Sequence, residues 1–267
     1  MGTGTAQART FKGLTRTQWR VWLSAAMAIF LDGYDLFIIA VAFPLIDQQM
    51  AIPSFLVGAI AASVVAGAAV GALVGGSLAD RFGRRRLFNW AMAAFIVVTV
   101  LTAIAWDPYS LLIGRFVMGI AIGAVYPLSA ATLSEFMPAS NRRRTLFVSA
   151  FSFQALGIFI GAGLGVAILL ADPHESAWRF MLLSGLLPAV AVILLRRGIP
   201  EAEEFLQARG ESRGQKTPFR QLFEPGVMIR TALAAGPWFL MDIALYGIGF
   251  VTPVIIGALA LCGDDEG

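Results

Sequence analysis

Residues 55–86 read FLVGAIAASVVAGAAVGALVGGSLADRFGRRR. The first part, Phe55–Leu78, contains no charged residue and is long enough to cross a hydrocarbon core of roughly 30 Å as a helix. An acid, a glycine and a cluster of arginines follow it, and such basic clusters are typical of helix ends at the cytoplasmic face of a membrane. The stretch therefore predicts a transmembrane helix that ends in a tight, basic loop.

Apolar runs of similar length recur along the whole chain. Hydrophobic residues make up 58% of the 267 residues and charged residues only 14%, which is more apolar surface than one soluble core could bury. The predicted spans are Val21–Ile46, Phe55–Leu78, Leu87–Ala105, Ser110–Phe136, Leu146–Leu170, Phe180–Leu195 and Met228–Leu261. We therefore predict an all-α, multi-pass membrane protein.

The basic residues indicate how the chain is oriented. All but two of the 20 Lys and Arg residues lie before the first span or in the regions that follow the second, fourth and sixth spans. The exceptions, Arg115 and Arg179, lie in or beside spans. By the positive-inside rule we expect a cytoplasmic amino terminus, and the expected location is the bacterial cytoplasmic (inner) membrane.

Composition argues against several other kinds of site. One cysteine, Cys262, and one histidine, His174, leave no internal disulfide and no convincing zinc site, and we expect no metal or cofactor. The basic residues form short clusters at helix ends, where they meet anionic lipid, so we expect no nucleic-acid partner. The cytoplasmic loops are too short to house an enzyme.

A charged segment interrupts the series of spans after the sixth. It contains Gly210, Gly214 and Pro218, a composition typical of a linker, although an ordinary cytoplasmic loop is also compatible. We predict three parts: a six-helix transmembrane bundle at 1–197, a cytoplasmic linker at 198–226, and a seventh span with an acidic tail at 227–267.

Glycines recur at every fourth residue in the second and fifth spans. Such stripes let membrane helices approach closely, and packing is the preferred interpretation, with sliding surfaces as an added role if the bundle rocks. The glycines are Gly67, Gly71, Gly75, Gly157, Gly161 and Gly165.

Four charged residues lie more than one helical turn inside predicted spans: Asp32, Asp35, Arg115 and Asp242. A charge near the bilayer centre costs roughly 2.5–3.5 kcal/mol on insertion scales and persists where it is paired, hydrated or used. Asp32 and Asp35 are three residues apart and share a helical face. We predict that this set couples transport to protons, and the alternative is a purely structural Asp–Arg pair.

The loop from Gly76 to Arg86 resembles the signature loop of the major facilitator superfamily. In that family its acid and cations hold neighbouring helices together in the outward-facing state and release them in the inward-facing state. Membrane anchoring alone would account for the arginines but not for Asp80 or Gly83. The resemblance implies a conformational gate formed by Gly76, Asp80, Arg81, Gly83, Arg84 and Arg85.

Other stretches extend this resemblance along the chain. They are Gly114-Arg115-Phe116 with Gly119 and Gly123, then Glu135 with Pro138 and Arg142 to Arg144, and finally Trp178-Arg179. The resemblance implies the six-helix amino-terminal bundle of a twelve-helix fold plus one further transmembrane helix. It also implies that the first, fourth and seventh spans line one central aqueous path.

The seventh span is similar to that of the phosphate:proton symporters. Trp238, Asp242 and Tyr246 lie at steps of four on one helical stripe, and Tyr126 and Gln154 match two further elements of the symporters' site. The resemblance implies that these five residues bind substrate.

Two features bear on the identity of the substrate. The run Asp32-Gly33-Tyr34-Asp35 fits the phosphate symporters, but aromatic-acid:proton symporters carry a similar run. Val125 stands where the phosphate symporters have an acid. The implied function is proton-coupled symport of an anionic metabolite, with inorganic phosphate or a related oxyanion first, aromatic or other organic acids second, and sugars behind.

The length of the chain leaves a second interpretation open. A chain that stops after a seventh span lacks most of the second half of a twelve-helix carrier, and alternating access rocks two such halves about a shared site. The abruptly polar end is typical of a shifted reading frame or an early stop, and a genuine short end on the outer face is the alternative. We therefore expect either a carrier, as a monomer in lipid, or a transport-incompetent fragment of one.

Overall fold

The computed structural model describes residues 14–171 and 174–199, and of the remainder only residues 224, 226–229, 232, 233, 236, 240, 241, 243–245 and 252. The chain divides into two compact units, Met1–Ala202 and Glu203–Gly267. In the second unit the described residues from 226 onward are helical. Most of the predicted seventh span, including Trp238, Asp242 and Tyr246, lies outside the described residues.

Helices account for nearly all of the described residues of the first unit. A π-helical turn, Val148–Phe153, joins the fifth helix to the sixth. The helices are α1 (Arg16–Met50), α2 (Ser54–Phe82), α3 (Arg84–Ala103), α4 (Pro108–Phe136), α5 (Ala139–Phe147), α6 (Gln154–Ala171), α7 (Ala177–Ser184) and α8 (Leu186–Arg196).

Six helical stretches in the described part of the chain are long and apolar enough to cross a membrane. The fifth combines α5, the π-helical turn and α6, and the sixth combines α7 and α8, with an interruption at Gly185. The stretches are Arg16–Met50, Ser54–Ala79, Arg84–Ala103, Pro108–Phe136, Ala139–Ala171 and Ala177–Arg196. The predicted all-α class and the first six spans are therefore confirmed.

Several helices are longer than the apolar runs that predicted them. The fifth begins at Ala139 rather than Leu146, and the first begins at Arg16 rather than Val21. A polar cap explains the longer end of the first helix: the Thr15 hydroxyl accepts a hydrogen bond from the Gln18 backbone N–H while the Gln18 side chain accepts one from the Thr15 N–H. Hydropathy marks the lipid-covered part of a helix and not its capped ends.

The glycine stripes bring two pairs of helices into close contact. Gly67 and Gly71 of α2 face the backbone carbonyls of Phe116 and Ile120 in α4, and a Cβ on either glycine would overlap them. Gly157 of α6 faces the carbonyl of Phe30 in α1 in the same way. The predicted packing role is present, and it holds α2 on α4 and α6 on α1.

Candidate functional site

The two acids of α1 have different partners although they share one helical face. The Arg115 Nη1 of α4 donates to the Asp35 Oδ2 at 2.7 Å, and the two side chains are 2% and 6% exposed. The same Nη1 lies 3.2 Å from the Met118 sulfur. A buried ion pair of this kind is strongly destabilised when one partner is removed, because the remaining charge is left in a low-dielectric interior.

Asp32 lies one turn earlier and contacts a neutral side chain. The Gln154 Nε2 at the start of α6 donates to the Asp32 Oδ2 at 3.2 Å, and both residues are 5% exposed. Gly33 makes this contact possible, since a Cβ at that position would overlap the Gln154 backbone carbonyl. The glycine between the two acids therefore sets how closely α6 approaches Asp32.

A small cavity opens beside Asp32. Its volume is about 10 Å³, and its wall includes Asp32 of α1, Met92 and Phe95 of α3, and Val125 and Tyr126 of α4. The contribution of α3 was not predicted, because Met92 and Phe95 are apolar residues in an apolar span and nothing in their spacing distinguishes a cavity wall from a lipid-facing surface.

Five of the eight residues predicted to couple protons or to bind substrate lie on α1 or beside it in the structure. Asp35 pairs with Arg115, and Asp32 contacts Gln154 and shares a cavity wall with Tyr126. The other three predicted site residues, Trp238, Asp242 and Tyr246, lie outside the described residues. Among the described residues, no group of three His, Cys, Asp or Glu side chains could hold a metal ion.

The predicted gate lies where α2 meets α3. Gly83, with φ of 95°, ends α2 by donating its N–H to the Ala79 carbonyl at 2.9 Å and lets α3 begin at the next residue. Because that φ lies in the left-handed region, a side chain at this position would strain the turn. The side chain of Asp80 is outside the described part of the structure.

Arg84 forms the ion pair at this corner. Its Nη1 contacts the Glu135 Oε1 near the end of α4. The guanidinium of Arg81 lies 5.3 Å from the centre of the Phe82 ring, and Arg85 and Arg86 are exposed. The sequence singled out Glu135 together with Pro138 and the arginines at 142–144. Only the structure shows that Glu135 is the partner of Arg84.

Arg196 directly follows the predicted sixth span and is the last residue of α8. It is 3% exposed, which its place among the basic residues after that span did not indicate. Its guanidinium lies 3.7 Å from the centre of the Phe88 ring and donates to the Thr132 Oγ1 at 3.3 Å. The aromatic face and the hydroxyl of neighbouring helices explain how a cation is accommodated there.

Comparison with known proteins gives relatives that are named as transporters. Residues 21–225 match the family described as "Sugar (and other) transporter". The chain is 34% identical to the 3-(3-hydroxy-phenyl)propionate transporter of Escherichia coli (strain K12), over 81% of this chain and 51% of that protein. It is 31% identical to the gallate transporter of Pseudomonas putida, over 72% and 42%.

A plant relative carries a different substrate in its name. The chain is 33% identical to the probable inorganic phosphate transporter 1-8 of Arabidopsis thaliana, over 72% of this chain and 41% of that protein. Among solved structures, the xylose transporter XylE from E. coli in a partially occluded inward open conformation matches with a TM-score of 0.65. That match is 21% identical and covers 93% of this chain and 67% of the other, so it shows the fold alone.

The chain spans about half the length of the curated relatives it matches. Its sequence is similar to those relatives, which are transporters and not enzymes. Its described part contains the membrane helices that such a protein needs. The chain belongs to the sugar (and other) transporter family of the major facilitator superfamily and is a multi-pass integral membrane protein.

Proposed function

We propose that this chain works in proton-coupled symport of an anionic metabolite, and that Asp32 is the acid that takes up and releases the transported proton. The observation that carries the proposal is the division of roles between the two acids of α1. Asp35 is held by the Arg115 cation, whereas Asp32 accepts a hydrogen bond from the neutral amide of Gln154.

The chemistry of an amide supports a proton-carrying role for Asp32. A glutamine side chain has both N–H donors and a carbonyl acceptor. Gln154 therefore donates to the ionised carboxylate and, after its amide rotates, accepts from the protonated acid. An arginine partner offers donors alone and strongly favours the ionised form. The structural-pair alternative accordingly applies to Asp35 and Arg115, while Asp32 remains able to change its protonation state.

Aromatic acids are the first candidate substrates. The Asp32–Asp35 run resembles that of aromatic-acid:proton symporters, and two relatives are named for gallate and for a hydroxyphenylpropionate. We infer that the substrate is an aromatic carboxylate and that it binds on the side of this bundle that faces the transport path.

Phosphate is the second candidate. The Trp238, Asp242 and Tyr246 stripe resembles the phosphate symporters, and one relative is named as a probable phosphate transporter. Val125 weighs against it, because the valine removes a carboxylate that those symporters use. Protonated carboxyls together with neutral Tyr, Gln and Trp donors would still be able to bind an oxyanion.

The test is uptake by the full chain in proteoliposomes with an inward proton gradient. Labelled 4-hydroxybenzoate and labelled phosphate are compared, with and without a protonophore. We expect accumulation of the aromatic acid that depends on the gradient, and its loss in Asp32→Asn. The control is Asp47→Asn, the same change near the outer end of α1, where the Asp47 Oδ1 accepts a hydrogen bond from the Ile52 N–H.

The outcomes separate the candidates. Gradient-driven uptake of phosphate that is lost in Asp242→Asn would favour the second candidate. No uptake of either compound above empty vesicles would contradict symport by this chain and favour the transport-incompetent fragment.

A further inference from the structure

The cavity beside Asp32 is lined by residues of α1, α3 and α4 and lies within one bundle. We propose that it is a binding site for a single water molecule held between the Asp32 carboxyl and the Tyr126 phenol, and that this water passes the transported proton to and from Asp32. The second half of this proposal rests on the proposed function, whereas the water site itself does not.

The size of the cavity decides what fits. Its volume is about 10 Å³, which is close to the smallest space that holds one water. An aromatic ring or a phosphate needs many times that volume. Tyr126 is one of the residues that the sequence associates with substrate binding. In this structure it faces a space that is too small for a substrate.

The chemistry of the wall favours water over an empty apolar void. A buried water needs two to four polar partners. Among the described residues that line the cavity, Asp32 of α1 and Tyr126 of α4 are those with polar side chains. A carboxylate accepts two hydrogen bonds at each oxygen, and a phenol both donates and accepts, so one water is able to form hydrogen bonds with both groups at once.

The rest of the cavity wall is apolar. It includes Met92, Phe95, Ile122 and Val125. In such surroundings the hydrogen bonds between water, carboxyl and phenol are stronger than in bulk solvent. The water is therefore held in a fixed position next to the acid. A group that passes a proton to the acid must hold such a position.

The charged groups around Asp32 fit this arrangement. Gln154 donates to one side of the carboxyl, at Oδ2, and the nearby charges of α1 and α4 are Asp35 and Arg115, which neutralise each other. The titratable group that shares the cavity with Asp32 is Tyr126. The proton therefore has a path on the cavity side that does not pass the Arg115 cation.

The proton balance of the step is simple. During loading, a hydrated proton reaches the bound water from the aqueous crevice, one O–H bond of the hydronium breaks, and an O–H bond to the Asp32 carboxylate forms, which leaves neutral water and a neutral acid. Release reverses these changes. Tyr126 keeps its own proton and acts as a positioning residue for the water.

The test is infrared difference spectroscopy of the full chain in lipid, between high and low pH, in ordinary and oxygen-18 water. We expect a carboxylic C=O band that is missing in Asp32→Asn, and an O–H band of a bound water that shifts with oxygen-18. In Tyr126→Phe we expect loss of that water band and a shift of the Asp32 C=O band to higher wavenumber, because a hydrogen bond to the acid is lost.

Two further variants control the measurement. Tyr109→Phe makes the same change at an exposed tyrosine of α4 and should leave both bands as in the unmodified chain. Ala121→Leu adds a side chain at the cavity wall and should remove the water band while the Tyr126 hydroxyl is kept. A water band that persists in Tyr126→Phe, with the Asp32 band unmoved, would overturn the water site, and so would loss of the band in Tyr109→Phe alone.

Transport assays separate this inference from the proposed function. In Tyr126→Phe we expect gradient-driven accumulation to fall, whereas the control Tyr109→Phe should accumulate substrate as the unmodified chain does. Expected bands without any gradient-driven uptake by the unmodified chain would leave the water site standing and reject the symport function. Unchanged accumulation in Tyr126→Phe would reject the relay.

Discussion

Arg115 of α4 and Asp35 of α1 form a buried ion pair, with 2.7 Å between the Arg115 Nη1 and the Asp35 Oδ2. The pair joins two helices in the bundle interior and leaves Asp32, one turn away on the same face, to the Gln154 amide. The first prediction follows from this pair.

Removing one partner of the pair should destabilise the protein more than removing both. In Arg115→Leu the Asp35 charge stays buried and uncompensated, and we expect a loss of about 3–5 kcal/mol in the free energy of unfolding. The double variant Arg115→Leu with Asp35→Asn should recover a large part of that loss. Thermal unfolding in detergent measures both, and equal losses in the single and double variants would contradict a coupled pair.

A methyl group at Gly33 should disturb the contact between α1 and α6. Gly33→Ala places a Cβ against the Gln154 backbone carbonyl, which must move. We expect a lower Tm and a weaker Asp32–Gln154 contact. The matched control is Gly163→Ala in α6, where a Cβ meets nothing within 4 Å. That change should leave the Tm unchanged or raise it, because alanine favours a helix over glycine by roughly 0.5–1 kcal/mol. Equal effects at the two positions would contradict the packing argument.

Loss of the Arg84–Glu135 ion pair should loosen the contact between the start of α3 and the end of α4. Glu135→Gln keeps the size of the side chain and removes its charge, so we expect faster thiol labelling at cysteines engineered beside this contact, with substrate affinity unchanged. Arg86→Gln neutralises an exposed arginine of the same cluster and serves as the control. The gate interpretation also predicts that Asp80→Asn in a full-length relative impairs switching more than affinity, and an effect confined to affinity would argue against it.

The orientation of the chain is testable with two cysteines. In a chain that carries Cys262→Ser, Arg143→Cys follows the fourth span, and Trp106→Cys lies 79% exposed at the opposite end of that span. An impermeant thiol reagent added outside intact cells should label residue 106 and spare residue 143. The reverse pattern would place the amino terminus outside and overturn the positive-inside assignment.

Acid should weaken the cap at the start of α4. The hydrogen bond from the Ser110 side chain, followed by that from its backbone N–H, lowers the pKa of Asp107 below its ordinary value of 3.8. A carboxyl whose pKa is lower when folded stabilises the fold above its unfolded pKa, and the effect disappears as pH falls through the folded pKa.

Two variants check that dependence. Asp107→Ala should lower the Tm at neutral pH, and its difference from the unmodified chain should shrink as the pH falls below 3.8. Asp107→Asn keeps a capping acceptor without a charge, so its Tm should change less with pH over that interval. A deficit of Asp107→Ala that stays constant down to the lowest pH would contradict the assigned cause.

Many features of the bundle were predictable because they are written in local patterns. Membrane spans follow from the length of apolar runs, and the close helix faces from glycines at every fourth residue. The same local logic marked Asp32, Asp35 and Arg115 as functional, since a charge in a span needs a reason to be there.

Only the tertiary structure decided which of these residues meet. Arg115 chooses Asp35 over Asp32, Gln154 reaches Asp32 because Gly33 lets α6 come close, and Arg196 is buried on Phe88. Met92 and Phe95 become a cavity wall through the rotation of α3 against α1 and α4. The position of each span depends on the free energy of transferring that segment alone into lipid. Which side chains meet depends on how one helix is rotated and shifted along its axis relative to another, and no single segment encodes that.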